Sequence, residues 1–235
     1  ITEVTVAPTH RRRGILTQMM RRQLDAHHER DIPIAALWAS ESVIYGRFGY
    51  GMAVTHEHRE IDLRHTSFAH SPDIRGQVHF IAKEDAQKVF SPIYDQVRGQ
   101  FPGMIRRDDL GWEAGITDFN GLRDRKPDLF YAYYEVDGVP TGYVMYRIRH
   151  SITAGDATNS VQIHEIVAAN DEASAALWRF CFDIDLASTL SVGHGAPIDD
   201  GLNWMLADPR RLKRSSYDGL WLRLIDVPAA LSART

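Results

Sequence analysis

The chain has 235 residues, 44% of them hydrophobic and 25% charged, with a formal net charge of -4. That is enough apolar sequence for one large or two small cores; a net acidic chain with an isoelectric point near 6.3 lacks the extended basic footprint of a nucleic-acid binder. No run reaches the roughly 18 apolar residues of a membrane span, and the opening residues show no charged region followed by an apolar stretch, so a globular cytoplasmic protein is expected, touching neither membrane nor nucleic acid.

In chain order, ITEVTVA is β-branched and alternating, which predicts a strand ended by Pro8. A helix is predicted from Gly14, with Ile15, Met19 and Leu24 at near-helical spacing, Met20 beside them, and a stop before Pro33. IAALWAS reads as a short buried strand. The glycine-rich SESVIYGRFGYGMA follows, and VTHEHREIDL alternates as an exposed or edge strand. Residues 64–76, RHTSFAHSPDIRG, are poor in aliphatics and read as a linker.

Beyond it, EDAQKVFSPIYDQVRGQFPG predicts a helix except near Pro92, and LFYAYYEV and GYVMYRIRH form a hairpin across Asp137 and Gly138. SVQIHEIVAA predicts a strand, DEASAALWRFCFDID a helix with acidic residues in its first turn, and DGLWLRLIDV a strand closing the second unit. The second unit repeats the strand, helix, strand order of the first. Where the first has APTHRRRG between strand and helix, the second has VAANDEAS, with neither a basic residue nor a glycine. The single cysteine, Cys181, reads as a buried structural thiol.

The chemistry concentrates in the arginine loop. A loop leading into a helix presents unpaired N–H groups at the positive end of the helix dipole, a place for phosphate. Arg11, Arg12 and Arg13 add forked cationic donors, and Gly14 lets the backbone approach a ligand closely. The other reading of these residues is a solvated basic turn. Neither G-x-x-x-x-G-K-[ST] nor G-x-G-x-x-G after a strand is present.

VTVAPTHRRRGIL resembles the acetyl-CoA pyrophosphate loop of the GNAT acetyltransferases, in which Arg11 and Gly14 fit and Leu16 departs from the small last position. With ASESVIYGRFGYG the likeness narrows to the Eis branch, the enhanced-intracellular-survival acetyltransferases of actinobacteria, where Leu at that place is usual. The resemblance implies an α/β (α+β) fold of tandem GNAT-like mixed-sheet domains. Residues 1–63 would be the later part of the first domain, 64–76 the linker, 77–227 a second domain without a cofactor loop, and 228–235 a connection onward. It implies a fragment, lacking the start of the first domain and a C-terminal sterol-carrier-like domain whose terminal carboxylate is taken as a catalytic base.

By the same resemblance, Val4 and Val6 would pair with the pantetheine arm of acetyl-CoA, Arg11, Arg12 and Gly14 would hold its pyrophosphate with Ile15 beside them, and Ser40 would lie near the thioester. Tyr45 matches the tyrosine that protonates the departing thiolate. The implied acceptor is a small polycationic amine, aminoglycoside-like or polyamine, or a lysine side chain, and the implied assembly is a homo-oligomer, a hexamer in the family. Secretion is compatible with it. From the residues alone, Tyr45 reads equally as a packing residue, and Tyr50 reads as structural. Glu3 and Glu41 are surface carboxylates that could accept a proton through water. His56 and His58 share one strand face, yet no further ligand converges at metal spacing. The alternative to an enzyme is a CoA-binding or scaffold protein of GNAT fold without turnover.

Overall fold

A computed structural model describes residues 4–101, 103–117, 126–153, 156–197 and 201–233. In chain order the elements are α1 (Ile15–His28), β1 (Ile34–Trp38), α2 (Ser42–Tyr45), β2 (Gly51–Met52), β3 (Thr55–Asp62), β4 (Gln77–Phe80), α3 (Lys83–Arg98) and α4 (Asp109–Thr117). They continue with β5 (Phe130–Val136), β6 (Val139–Arg149), β7 (Ile152–Thr153), β8 (Asp156–Ala157), β9 (Asn159–Ala168) and α5 (Asp171–Phe182). The last are β10 (Ala187–Pro197), α6 (Leu202–Met205), β11 (Lys213–Asp218), β12 (Leu220–Leu224) and α7 (Val227–Ser232). The chain divides into two compact units, Ile1–Thr55 with Tyr217–Thr235, and His56–Ser216.

The first unit joins the two ends of the sequence. Its sheet has the order β1-β12-β2. β1 and β12 are antiparallel from Ile34 opposite Leu224 to Trp38 opposite Leu220, and Trp221 sits opposite Met52 of β2. Met20, Ala35, Leu37, Tyr45 and Tyr50 form the buried core, with Leu16, Leu24 and Trp221 packed against it. The face that α1 buries is therefore Leu16, Met20 and Leu24, spaced four apart. Met19, expected on that face, is exposed, and Ile15 is half-buried.

Two expectations change here. DGLWLRLIDV was read as closing the second unit, but its strand completes the first unit's sheet; its sequence carries the apolar alternation of a strand and nothing that names its neighbour. Val4 to Ala7 form no assigned strand, because β propensity prepares a segment and only a hydrogen-bonded neighbour makes it a strand. No described strand pairs with them; Ile1, Thr2 and Glu3 lie outside the described residues.

The second unit is built on a seven-stranded sheet of order β11-β3-β10-β9-β6-β5-β4. The Asp137–Gly138 turn places both residues at positive φ, 51° and 78°, the backbone that the tight hairpin between β5 and β6 requires. β9 and β10 run parallel, joined through α5. The face carrying Ala132, Tyr134, Val144, Val161 and Ile163 packs on Ala173, Leu177, Trp178 and Cys181 of α5. Tyr143, Met145 and Val167 pack against Phe90, Ile93 and Tyr94 of α3 and Trp112 of α4. Pro92 sits inside a continuous α3, not at a break.

β3, expected as an exposed or edge strand, lies between β11 and β10. Its alternation was legible, but the buried positions are Glu57, Arg59 and Ile61. Glu57 takes bonds from Arg59 Nε at 3.0 Å and from Arg214 at 2.9 and 2.7 Å. Burial raises the Glu57 pKa, and the two arginines outweigh it, leaving the carboxyl below its ordinary value. Polar residues thus fill positions that apolar patterning reserves for aliphatics.

Residues 64–76, expected as a linker, are tied into the second unit. Thr66 is buried, Phe68 bridges to Leu206, Arg75 pairs with Glu172, and the Gly76 N–H donates to the Tyr134 hydroxyl at 2.8 Å. A Cβ on Gly76 would overlap the Glu135 carbonyl, so glycine is what lets the chain close onto β5.

Candidate active site in the first unit

The loop before α1 has a backbone that few side chains favour. Pro8–His10 forms a 3-10 turn, and both Arg12, at φ 61°, and Gly14, at φ 75°, are left-handed. A left-handed arginine costs of order 1 kcal/mol or more, strain that clusters where a loop must aim its N–H groups. Gly14 is the N-cap of the fourteen-residue α1, and the first bond of the helix runs from Gln18 N–H to the Gly14 carbonyl at 3.0 Å. The N–H groups of Gly14 to Thr17 precede that ladder and point out of the helix start. A Cβ at Gly14 would meet nothing within 4 Å, so glycine is there for its φ, and the space in front of it is open. Free N–H groups at a helix start are a general place for a phosphate group.

The arginines are exposed. Arg11 Nε reaches back to the Val6 carbonyl at 3.4 Å, a long contact that leaves its forked donors to the solvent side. His27 and His28 close α1 at the dipole's negative end. Val4 and Val6 are half-buried and Ser40 is exposed, in the bend after β1.

Tyr45 ends α2, and the chain turns through Gly46–Phe48 and a left-handed Gly49 to Tyr50. Tyr45 is 6% exposed and Tyr50 3%; their ring centroids are 6.2 Å apart at 72°, an edge-to-face pair. Because Met20 of α1 belongs to the same core, one packed unit carries both the arginine loop and the tyrosine. Burial pushes the Tyr50 hydroxyl's pKa up, the Arg223 cation pulls it partly back, and Tyr45 adds to the rise. Glu41 is the exposed N-cap of α2, and Glu3 lies outside the described residues.

One residue went unnoticed in the sequence. Arg223 sits opposite Ala35, on the sheet face that Ala35, Leu37 and Trp221 turn to the core, and its Nη1 donates to the Phe48 carbonyl. The available signal was a lone charge inside the apolar run LWLRL, at a position whose strand neighbours face inward.

Comparison with known proteins gives the family. Residues 103–224 match the family model Acetyltransferase (GNAT) domain, and residues 1–53 match a second model of the same description. An uncharacterized N-acetyltransferase of Streptomyces coelicolor is 39% identical over 239 residues, across 100% of this chain and 57% of its own length. N-acetyltransferase Eis of Mycobacterium tuberculosis is 34% identical, across 98% of this chain and 56% of its own. The crystal structure of Eis1 from Mycobacterium abscessus superimposes with a TM-score of 0.78 at 33% identity, covering 100% of this chain and 58% of that one. A GCN5-related N-acetyltransferase from Anabaena variabilis shares the fold, with a TM-score of 0.81 at 20% identity. The chain thus spans a little over half the length of the relatives it matches. Two GNAT matches and the tandem mixed-sheet architecture place it plainly: the chain belongs to the GNAT acetyltransferase family, in its Eis-like branch.

Proposed function

We propose that this protein transfers the acetyl group of acetyl-CoA to a primary amine of a small polycationic acceptor, aminoglycoside-like or polyamine, or to a lysine side chain. The observation that carries the reading is the doubly left-handed Arg12–Gly14 loop opening α1, in one packed unit with Tyr45. When bound, acetyl-CoA supplies an acyl group activated as a thioester, which the neutral amine attacks with loss of the thiolate. The N–H groups of Gly14 to Thr17 and the guanidinia of Arg11 and Arg12 bind the diphosphate. Ile15 lies beside them at the head of the helix. Val4 and Val6 take the pantetheine arm against their backbone, and Ser40 lies toward the thioester end.

Tyr45 gives its proton to the leaving sulfur. A phenol held in an apolar core, with water restricted, is a competent general acid. The ammonium formed on the acceptor loses its proton through water or to a carboxylate, for which Glu3 and Glu41 are the nearby candidates in sequence. An acidic chain suits cationic acceptors. No helix among the described residues is long and apolar enough to cross a membrane, and a cytoplasmic homo-oligomer fits the family.

The second unit, by this reading, packs and assembles but takes no CoA. Its corresponding helix start, at α5, is closed by its own chain: Asn170 caps the Ala173 N–H at 2.8 Å, and Asp171 and Glu172 place negative charge where phosphate would need donors. Tyr45→Phe in the intact enzyme tests the assignment. Acetyl-CoA affinity should hold, and turnover should fall about 10²–10⁴-fold. Wild-type turnover would reduce Tyr45 to a packing residue; CoA binding with no acetylation of any tested amine by the parent protein would instead leave the alternative, a CoA-binding protein without turnover.

A further inference from the structure

We propose that Arg223, brought in by the last strand, is the positioning residue for Tyr45: its guanidinium holds the turn behind Tyr45 and sets positive charge against the tyrosine pair. The proposal rests on the reading of Tyr45 as the general acid.

An arginine on the inward face of an apolar sheet is costly unless something there needs it. Arg223 Nη1 is committed to the Phe48 carbonyl, in the turn that runs from Tyr45 to Tyr50. Gly49 shows how closely the guanidinium is fitted: a Cβ there would overlap it, and the residue is also left-handed at φ 78°. The remaining polar atoms are not satisfied in the same way. Arg223 Nε and the Tyr50 hydroxyl are both buried with no hydrogen-bond partner among the described residues. Two unpaired groups of complementary chemistry, a cationic N–H and a phenol, flank one turn in one small core. A guanidinium used only to tie the Phe48 carbonyl would leave both unexplained.

The electrostatic consequence follows from burial. As Tyr45 gives up its proton, negative charge grows on a phenol oxygen in surroundings that screen poorly, so a fixed cation nearby stabilises that charge more than water would. Tyr50 senses Arg223 and meets the Tyr45 ring edge to face at 6.2 Å, so Tyr50 stands as the link between the cation and Tyr45. Arg223 touches neither acceptor nor cosubstrate in this scheme; it acts through the Tyr45–Tyr50 turn.

The test is a double-mutant cycle in the intact protein. Arg223→Met should lower kcat at least tenfold and leave KM for acetyl-CoA within about twofold, the split expected when a group acts on the transition state and not on cosubstrate binding. In the absence of acetyl-CoA, tyrosine ring NMR should show the signal that Tyr50→Phe removes titrating at higher pH in Arg223→Met. Combined with Tyr45→Phe, Arg223→Met should cost no further turnover. An equal loss in both backgrounds would make Arg223 a structural residue and overturn the proposal, as would an unchanged kcat. If Tyr45→Phe alone keeps full turnover, the general-acid reading fails and takes this proposal with it; full turnover only in Arg223→Met overturns the proposal alone. Should the Met variant not fold, Arg223→Lys keeps the charge. It should lower kcat only about threefold with KM for acetyl-CoA unchanged, and a loss of tenfold or more would refute the electrostatic role.

Discussion

Arg107 and Glu165, 58 positions apart in sequence, meet as a two-pronged ion pair: Nη1 donates to Oε2 at 2.9 Å and Nη2 to Oε1. Tyr143 donates to the same carboxylate at 2.8 Å, and the guanidinium lies over the rings of Tyr94, at 4.1 Å, and Trp112, at 4.9 Å. Burial alone would depress the Arg107 pKa; the Glu165 bonds outweigh it and hold it above the ordinary value. The pair therefore fastens the segment before α4 to β9.

Glu165→Gln should destabilise the second unit by about 3 kcal/mol, the low end for breaking a buried pair, since the two side chains keep 24% and 19% of their exposure. Joint replacement by Arg107→Met and Glu165→Leu should recover most of that loss. Denaturant midpoints check both, and a loss under about 1 kcal/mol for the single variant would mean that solvent already screens the pair.

Arg12→Glu in the intact enzyme should weaken acetyl-CoA by about 1.5–3 kcal/mol, the worth of one charge-assisted bond. Arg12→Gly separates charge from backbone, because glycine adopts the left-handed φ of 61° without strain. It should lose affinity and yet melt no lower than the parent. Calorimetry with the two variants decides, and unchanged affinity in both would remove Arg12 from the site.

The second unit should lose stability in acid through Glu172. Arg75 side-chain and backbone bonds, with the Tyr134 hydroxyl, lower its pKa to about 2. A carboxyl depressed on folding contributes fully above its unfolded value, about 4.3, and its contribution is lost as pH falls through about 2. Glu172→Gln should flatten acid unfolding across that window and leave stability near neutral pH lower than the parent. Parallel pH curves for the two proteins would contradict it.

Cys181 should be silent toward thiol reagents in the native protein. Complete burial pushes its thiol pKa far up, and the reactive species is the thiolate. One equivalent should react only after denaturation, this being the single cysteine of the chain; rapid native labelling would show that α5 opens readily.

The helix opening at Gly14 was legible in the sequence because its signal is local: a glycine at a helix start keeps its meaning whatever packs around it, whereas Tyr45 was singled out by the family resemblance and by nothing local. The Asp137–Gly138 hairpin, like Gly14, was legible from a local signal. What escaped was pairing between distant segments. LWLRL reads as a strand, but no residue in it says that β1 is the partner, and so Arg223 could not be placed beneath the tyrosine turn. The buried Glu57 and Arg59 of β3 defeated patterning in the opposite way, since a charged residue at an inward position is indistinguishable, by period alone, from one facing water.

The pairing of β1 with β12 also sets a timetable. Trp38 meets Leu220 across 182 positions and Ile34 meets Leu224 across 190, so the first unit's sheet cannot close until the chain through Leu224 has left the ribosome. At about 5–20 residues per second, β1 waits of the order of 10–40 s with an unpaired, apolar edge, while the sequence-contiguous His56–Ser216 unit is free to fold. Nascent chains halted before Leu220 would present that edge to neighbours on the same message, and holdase chaperones that shield such edges would matter most during this interval.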